Sequence, residues 1–178
     1  MPRSFGSSQR IAAAFLTGLL TASVLVPGAA RAACFQELAI YGEAQANAEM
    51  AFRDDLHPAE PSLNRFVVTF PENAVSMDGM VMMAGEPSRP WAMVMYNCPE
   101  GDATGAEIDA CMVWEGPIYG IDSLGNVSAV PDAGQGEEAM AAILLPDFGA
   151  SVRMSSAWGA QGLSVAPRDD FRLKACQE

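Results

Sequence analysis

Six methionines lie between Met77 and Met95, in the stretch MDGMVMMAGEPSRPWAMVM. Thioether sulfur is a soft donor that suits Cu(I) or Ag(I). If the stretch folds back on itself with Ala84 facing Trp91, then Met82 faces Met93 and Met80 faces Met95. Directly opposed residues of an antiparallel pair share a face. Met80, Met82, Met93 and Met95 would then form a rectangle of sulfurs, a candidate copper site that a register shift of one residue removes. Methionine is also a filler of irregular cores, and methionine-rich faces repack around varied apolar partners. Histidine is the commonest metal ligand, and the single histidine, His57, stands before Pro58 at an expected helix end. Core packing is therefore the preferred reading of the stretch, with a soft-metal site as the alternative.

Four cysteines, Cys34, Cys98, Cys111 and Cys176, follow the N-terminal apolar segment. An even number in an exported chain points to two disulfides. Pairing Cys98 with Cys111 closes a short loop, and pairing Cys34 with Cys176 ties the two ends of the domain. By chain entropy the two crosslinks would contribute about 3 and about 5 kcal/mol. Neither pair has the C-x-x-C spacing of a redox or zinc site. The loop between Cys98 and Cys111 holds Glu100, Asp102, Glu107 and Asp109, but Ala106 and Val113 fall where an EF-hand numbered from Asp102 needs ligands. It reads as a solvated acidic loop.

The stretch VSAVPDAGQGEEAM imitates a strand, a glycine turn and a helix start. Glu137 and Glu138 would put negative charge where a phosphate should sit, and Ala139 occupies the third glycine position, so nucleotide binding is rejected. There is no Gly-x-Ser-x-Gly elbow, and nothing marks a serine partner for His57. Paired carboxylates could hydrolyse glycosides or peptides, but no motif selects a pair among twenty-two acids. Trp91, Trp114 and Trp158 could line a groove or fill a core.

These residues need a frame. Arg3 and Arg10 precede an apolar run over 11–26, and Ala30-Arg31-Ala32 offers a cleavage site, so residues 1–32 read as a secretory signal peptide. Removing its three arginines leaves seven basic against twenty-two acidic residues, a formal charge of −15. Such a surface disfavours nucleic acid and anionic membrane and favours a cationic protein or peptide. No later stretch is long and apolar enough for a membrane span.

Residues 33–178 are expected to form one α+β domain. Its parts are an antiparallel sheet of about 5–7 strands, one long N-terminal helix and one shorter helix packed on it, and two disulfides. The long helix is placed at 35–56, from Ala, Glu and Gln content and the spacing of Leu38, Tyr41, Ala48, Phe52 and Leu56. The shorter helix is placed at Glu137–Leu145, stopped by Pro146. Strands are placed at 66–70, 74–84, 91–97, 112–114 and 118–121, with a hairpin through 122–126, and near 152–158 and 171–176. No stretch carries a recognisable family motif. The function expected is that of a small exported, periplasmic binding protein rather than an enzyme, with soft-metal binding or carboxylate-dependent hydrolysis as alternatives.

Overall fold

Alternation with period two organises the chain from its first turn onward. In the computed structural model, which describes residues 33–53, 62–102, 104–160 and 162–177, ten strands form one sheet with every pairing antiparallel. The strands are β1 (Ala39–Glu43), β2 (Ala48–Arg53), β3 (Asn64–Phe70), β4 (Val75–Ala84), β5 (Arg89–Met95), β6 (Met112–Pro117), β7 (Tyr119–Ile121), β8 (Val127–Ser128), β9 (Ala142–Leu144) and β10 (Asp170–Cys176). Their lateral order is β6-β5-β4-β3-β2-β1-β10-β9-β7-β8, and the sheet curls into a half-barrel. Two short helices, α1 (Gly105–Cys111) and α2 (Phe148–Met154), complete it. The segment expected to be a signal peptide, 1–32, and the helix end expected at His57-Pro58 lie outside the described residues.

The inward face carries the core. Tyr41, Met50, Phe52, Phe66, Val68, Phe70, Met77, Val81 and Val94 all point there and are buried. Rings meet across neighbouring strands, Tyr41 to Phe52 at 5.7 Å and Phe52 to Phe66 at 5.6 Å between centroids, the separations aromatic pairs favour. Gly79 faces Phe66 across the ladder, and a Cβ there would overlap the Phe66 ring. The concave side is closed by Phe148 and Val152 of α2, with Leu145, Ala157, Leu163 and Phe171. Phe148 packs edge-on against Trp114 at 6.1 Å and at a tilt against Phe171 at 6.0 Å.

The expected α+β architecture is overturned: the fold is mostly antiparallel sheet with only two short helices. Residues 39–53, placed in a long helix, are the β1–β2 hairpin. Ala39, Tyr41 and Glu43 alternate inward, as do Ala48, Met50 and Phe52. The apparent helical spacing came from counting through the turn at 44–47. That turn is held by Glu43, whose buried carboxylate accepts from the Gln45 and Ala46 N–H groups at 2.7 and 2.8 Å, and by Asn47 at φ 50°. The high helix propensity of Ala and Gln yields because β1 is paired on both sides, by β2 and by β10.

The shorter helix at 137–145 is absent as well. Ala142–Leu144 is β9, bonded to both β7 and β10. The second helix comes after Pro146 instead, at 148–154, where a strand was expected near 152–158. Its start is set from far along the chain: the Asp169 carboxylate accepts from the N–H groups of Asp147 (2.8 Å) and Gly149 (3.0 Å). A side chain on Gly149 would collide with the Pro167 carbonyl.

The two disulfides join Cys34 to Cys176 and Cys98 to Cys111, with Cα separations of 5.6 and 5.1 Å. The first is possible because β10 lies beside β1, so both ends of the domain reach the same ladder. No described helix is long and apolar enough to cross a membrane.

Candidate functional site

The sequence directed attention to the methionines, and the structure separates them. Met77 is fully buried on the inward face. Met80, Met82, Met93 and Met95 are half-buried on the outward face of β4 and β5, so packing in the core does not account for them. The register also differs. Ala84 faces Arg89, so Met80 faces Met93, Met82 faces Trp91, and Met95 faces Asp78. The hairpin turn is shorter than expected because Arg89 and Pro90 join β5 at its start, where a proline is tolerated. The four sulfurs therefore share a face without forming the expected rectangle. Beyond Met80 on that face stand Arg65 of β3 and Arg53 of β2, and beyond Met93 stands Glu115 of β6. Arg53, Arg65, Asp78, Met80 and Met95 line a small hollow of about 160 Å³ there.

A larger cavity, of about 480 Å³, lies elsewhere, beside the Cys98–Cys111 disulfide. One wall is built from the end of β5 and from α1. The Tyr96 N–H donates to the Cys111 carbonyl at 2.9 Å, and Asn97 turns the chain at φ 53° into the disulfide. Helix α1 opens with a reciprocal cap. The Glu107 N–H donates to the Thr104 hydroxyl, and the Glu107 carboxylate accepts from the Thr104 N–H at 2.8 Å and from its hydroxyl at 2.8 Å. These hydrogen bonds, the backbone one first, hold the Glu107 carboxyl below its ordinary value of 4.5.

The opposite wall is Ser156, Trp158 and Gly162. The chain doubles back tightly here: Leu163 N–H donates to the Ala157 carbonyl at 2.8 Å and Gly159 N–H to the Leu163 carbonyl at 3.0 Å. Gly159 sits at φ 125°, and a Cβ on Gly162 would overlap the Ala157 carbonyl, so both positions need glycine. The Asn73 amide anchors this turn to the β3–β4 turn by donating to the Gly162 carbonyl at 3.0 Å. The result holds the half-buried rings of Tyr96 and Trp158 at one cleft.

The three tryptophans thus divide. Trp114 belongs to the core, its indole N–H donating to the Pro146 carbonyl at 2.8 Å. Trp91 stands on the outward face with the Arg89 guanidinium 5.9 Å from its ring. Trp158 serves the cleft. Among the described lining residues Glu107 is the one carboxylate, and a single oxygen, Oε2, accepts both bonds from Thr104. Glu100, Asp102 and Asp109 of the same loop are exposed. Among the described residues no three His, Cys, Asp or Glu side chains gather to hold a metal ion. Chemically, the cleft offers two ring faces and a fixed negative charge, with no described cation in its walls. No protein-family model matches the chain, and no curated protein or solved structure is significantly similar to it.

Proposed function

We propose that the chain is an exported binding module whose cleft beside the Cys98–Cys111 disulfide receives a cationic side chain of a protein or peptide partner. The carrying observation is that the half-buried rings of Tyr96 and Trp158 flank a cavity whose charged lining residue is the carboxylate Glu107. Aromatic faces attract ammonium and guanidinium groups within about 6 Å. The acidic loop around Glu107 adds a field of the same sense, and the net charge steers cations toward it. Export rests on the N-terminal leader pattern, with the periplasm as its destination, and two disulfides fit such an oxidising compartment.

The test is a calorimetric titration with a Lys- and Arg-rich peptide and with its Glu-substituted counterpart. The cationic peptide should bind alone, more weakly as salt rises. Trp158→Ala should weaken it about tenfold, and Glu107→Gln should weaken it less. Equal binding of the acidic peptide, or an unchanged affinity in Trp158→Ala, overturns the reading.

A second reading, soft-metal binding, draws on the position of Met80, Met82, Met93 and Met95 on one outward face, where an ion has access. Replacing the four with leucine should abolish Ag(I) or Cu(I) binding measured against a competing thiol. Unchanged affinity ends it. Arg53 and Arg65 on the same face disfavour a cation and put this reading second.

A further inference from the structure

The pairing registers of β2 to β6 line up one continuous lateral row on the outward face: Arg53, Arg65, Met80, Met93, Glu115. Its charge order is two cations, two thioethers and one anion. Such a row is complementary to itself when turned over. A two-fold axis lying in the face, parallel to the strands and between β4 and β5, reverses the lateral order in the second copy. Met80 of one copy then meets Met93 of the other, and Arg65 meets Glu115. In the next row along the strands, Met82 meets Trp91.

We infer that the protein associates with a second copy of itself through this outward face. The contact is isologous, each pair being made twice, as a closed dimer requires. Aligned packing of two sheets keeps their strands within about 30° of one another, close enough to preserve this row. Asp78 faces Met95 and shares the hollow with Arg53 and Arg65, so its charge stays beside its own arginines.

The charge distribution favours this occupant. Seven basic residues follow the leader, and three of them, Arg53, Arg65 and Arg89, stand on this one face of a strongly acidic chain. Most approaches of two such chains are repulsive, and this face is where they are not. The patch is four strands wide and three rows deep, about 20 Å by 20 Å. That is roughly half of the ~800 Å² per partner found in standard interfaces. The dimer is therefore a weak one, formed at high local concentration. The inference does not depend on the peptide cleft, which lies beside the Cys98–Cys111 loop and is read by a different measurement.

Sedimentation velocity of the exported chain, with a metal chelator present, over about 10 µM to about 1 mM reads the equilibrium directly. A concentration-dependent dimer is expected. Glu115→Arg should weaken it at least tenfold, because the row then meets its partner with like charges. Met93→Glu at the centre should do the same. The double variant Arg65→Glu/Glu115→Arg reverses both ends of the row and should restore association. Circular dichroism confirms that each variant keeps its sheet. A monomer at every concentration overturns the proposal, and so does a dimer indifferent to Glu115→Arg or a double variant that stays apart.

Discussion

Two neighbours on one strand show how differently the two faces of this sheet treat the same residue type. Met77 points inward and has no exposed surface, while Met80 points outward and is only half covered. Inward positions run Val75, Met77, Gly79 and Val81, tuned in volume down to the glycine that accepts the Phe66 ring. Outward positions on β4 and β5 run Asp78, Met80, Met82, Trp91, Met93 and Met95, apolar yet mixed with charge. The inward face is constrained by shape and the outward face by what comes to meet it. A methionine-rich composition is common to both, so composition alone assigns neither.

Paired substitutions sharpen this contrast. The largest effect is expected for Met77→Ala, about 2–5 kcal/mol, because it empties a close-packed site. Met80→Ala, three residues along and on the other face, should stay within about 0.5–1 kcal/mol. Urea midpoints of the two variants decide the matter, and comparable losses would mean that the outward face is packed in the monomer. A smaller difference is expected from hydroxyl insertion. Val94→Thr buries an unpartnered hydroxyl in the core and should cost about 1–3 kcal/mol. Met93→Thr, its neighbour on β5, should change stability by about 0.5 kcal/mol or less. The second change should nevertheless weaken self-association, which separates a surface kept for contact from one kept for folding.

The division between faces was legible where branched and aromatic residues mark strands. Phe66 to Phe70, the methionine hairpin and the hairpin around Asp122 fall close to their expected places. Both disulfides have the expected pairing, one closing a short local loop and one joining the two ends of the domain. What stayed hidden was set by distant partners. The β1–β2 hairpin looks helical because its turn is stabilised by a buried glutamate rather than by a glycine or proline signal. Helix α2 starts where it does because Asp169, far along the chain, caps it. The cleft joins Tyr96 to Trp158 through a doubled-back turn, and local periodicity holds no trace of that. Its one local clue was the Thr104-x-x-Glu107 cap, a recognisable helix-start signature inside the acidic loop.

The smallest expected effects lie in titration, where the contrast between inside and outside is one of mechanism. Tyr41, facing the core, has its hydroxyl pushed far above its ordinary range by burial, against the weaker pull of its bond to Gln36. Glu107, fully outside, is moved the other way by hydrogen bonds from Thr104. A carboxyl held below its unfolded value stabilises the fold above that value, and the contribution is lost as pH falls through the folded one. Carboxyl NMR should therefore find Glu107 titrating below 4.5. In Thr104→Ala, its midpoint should move back toward 4.5, and protection of the first α1 amides from exchange should fall in step. If the midpoint stays low without Thr104, something other than the cap lowers it. Glu107 is ionised at neutral pH whichever way its midpoint falls, so the proposed cation preference of the cleft should persist in Thr104→Ala while the first turn of α1 frays. Loss of both together would mean that the preference depends on the helix start and not on the charge alone.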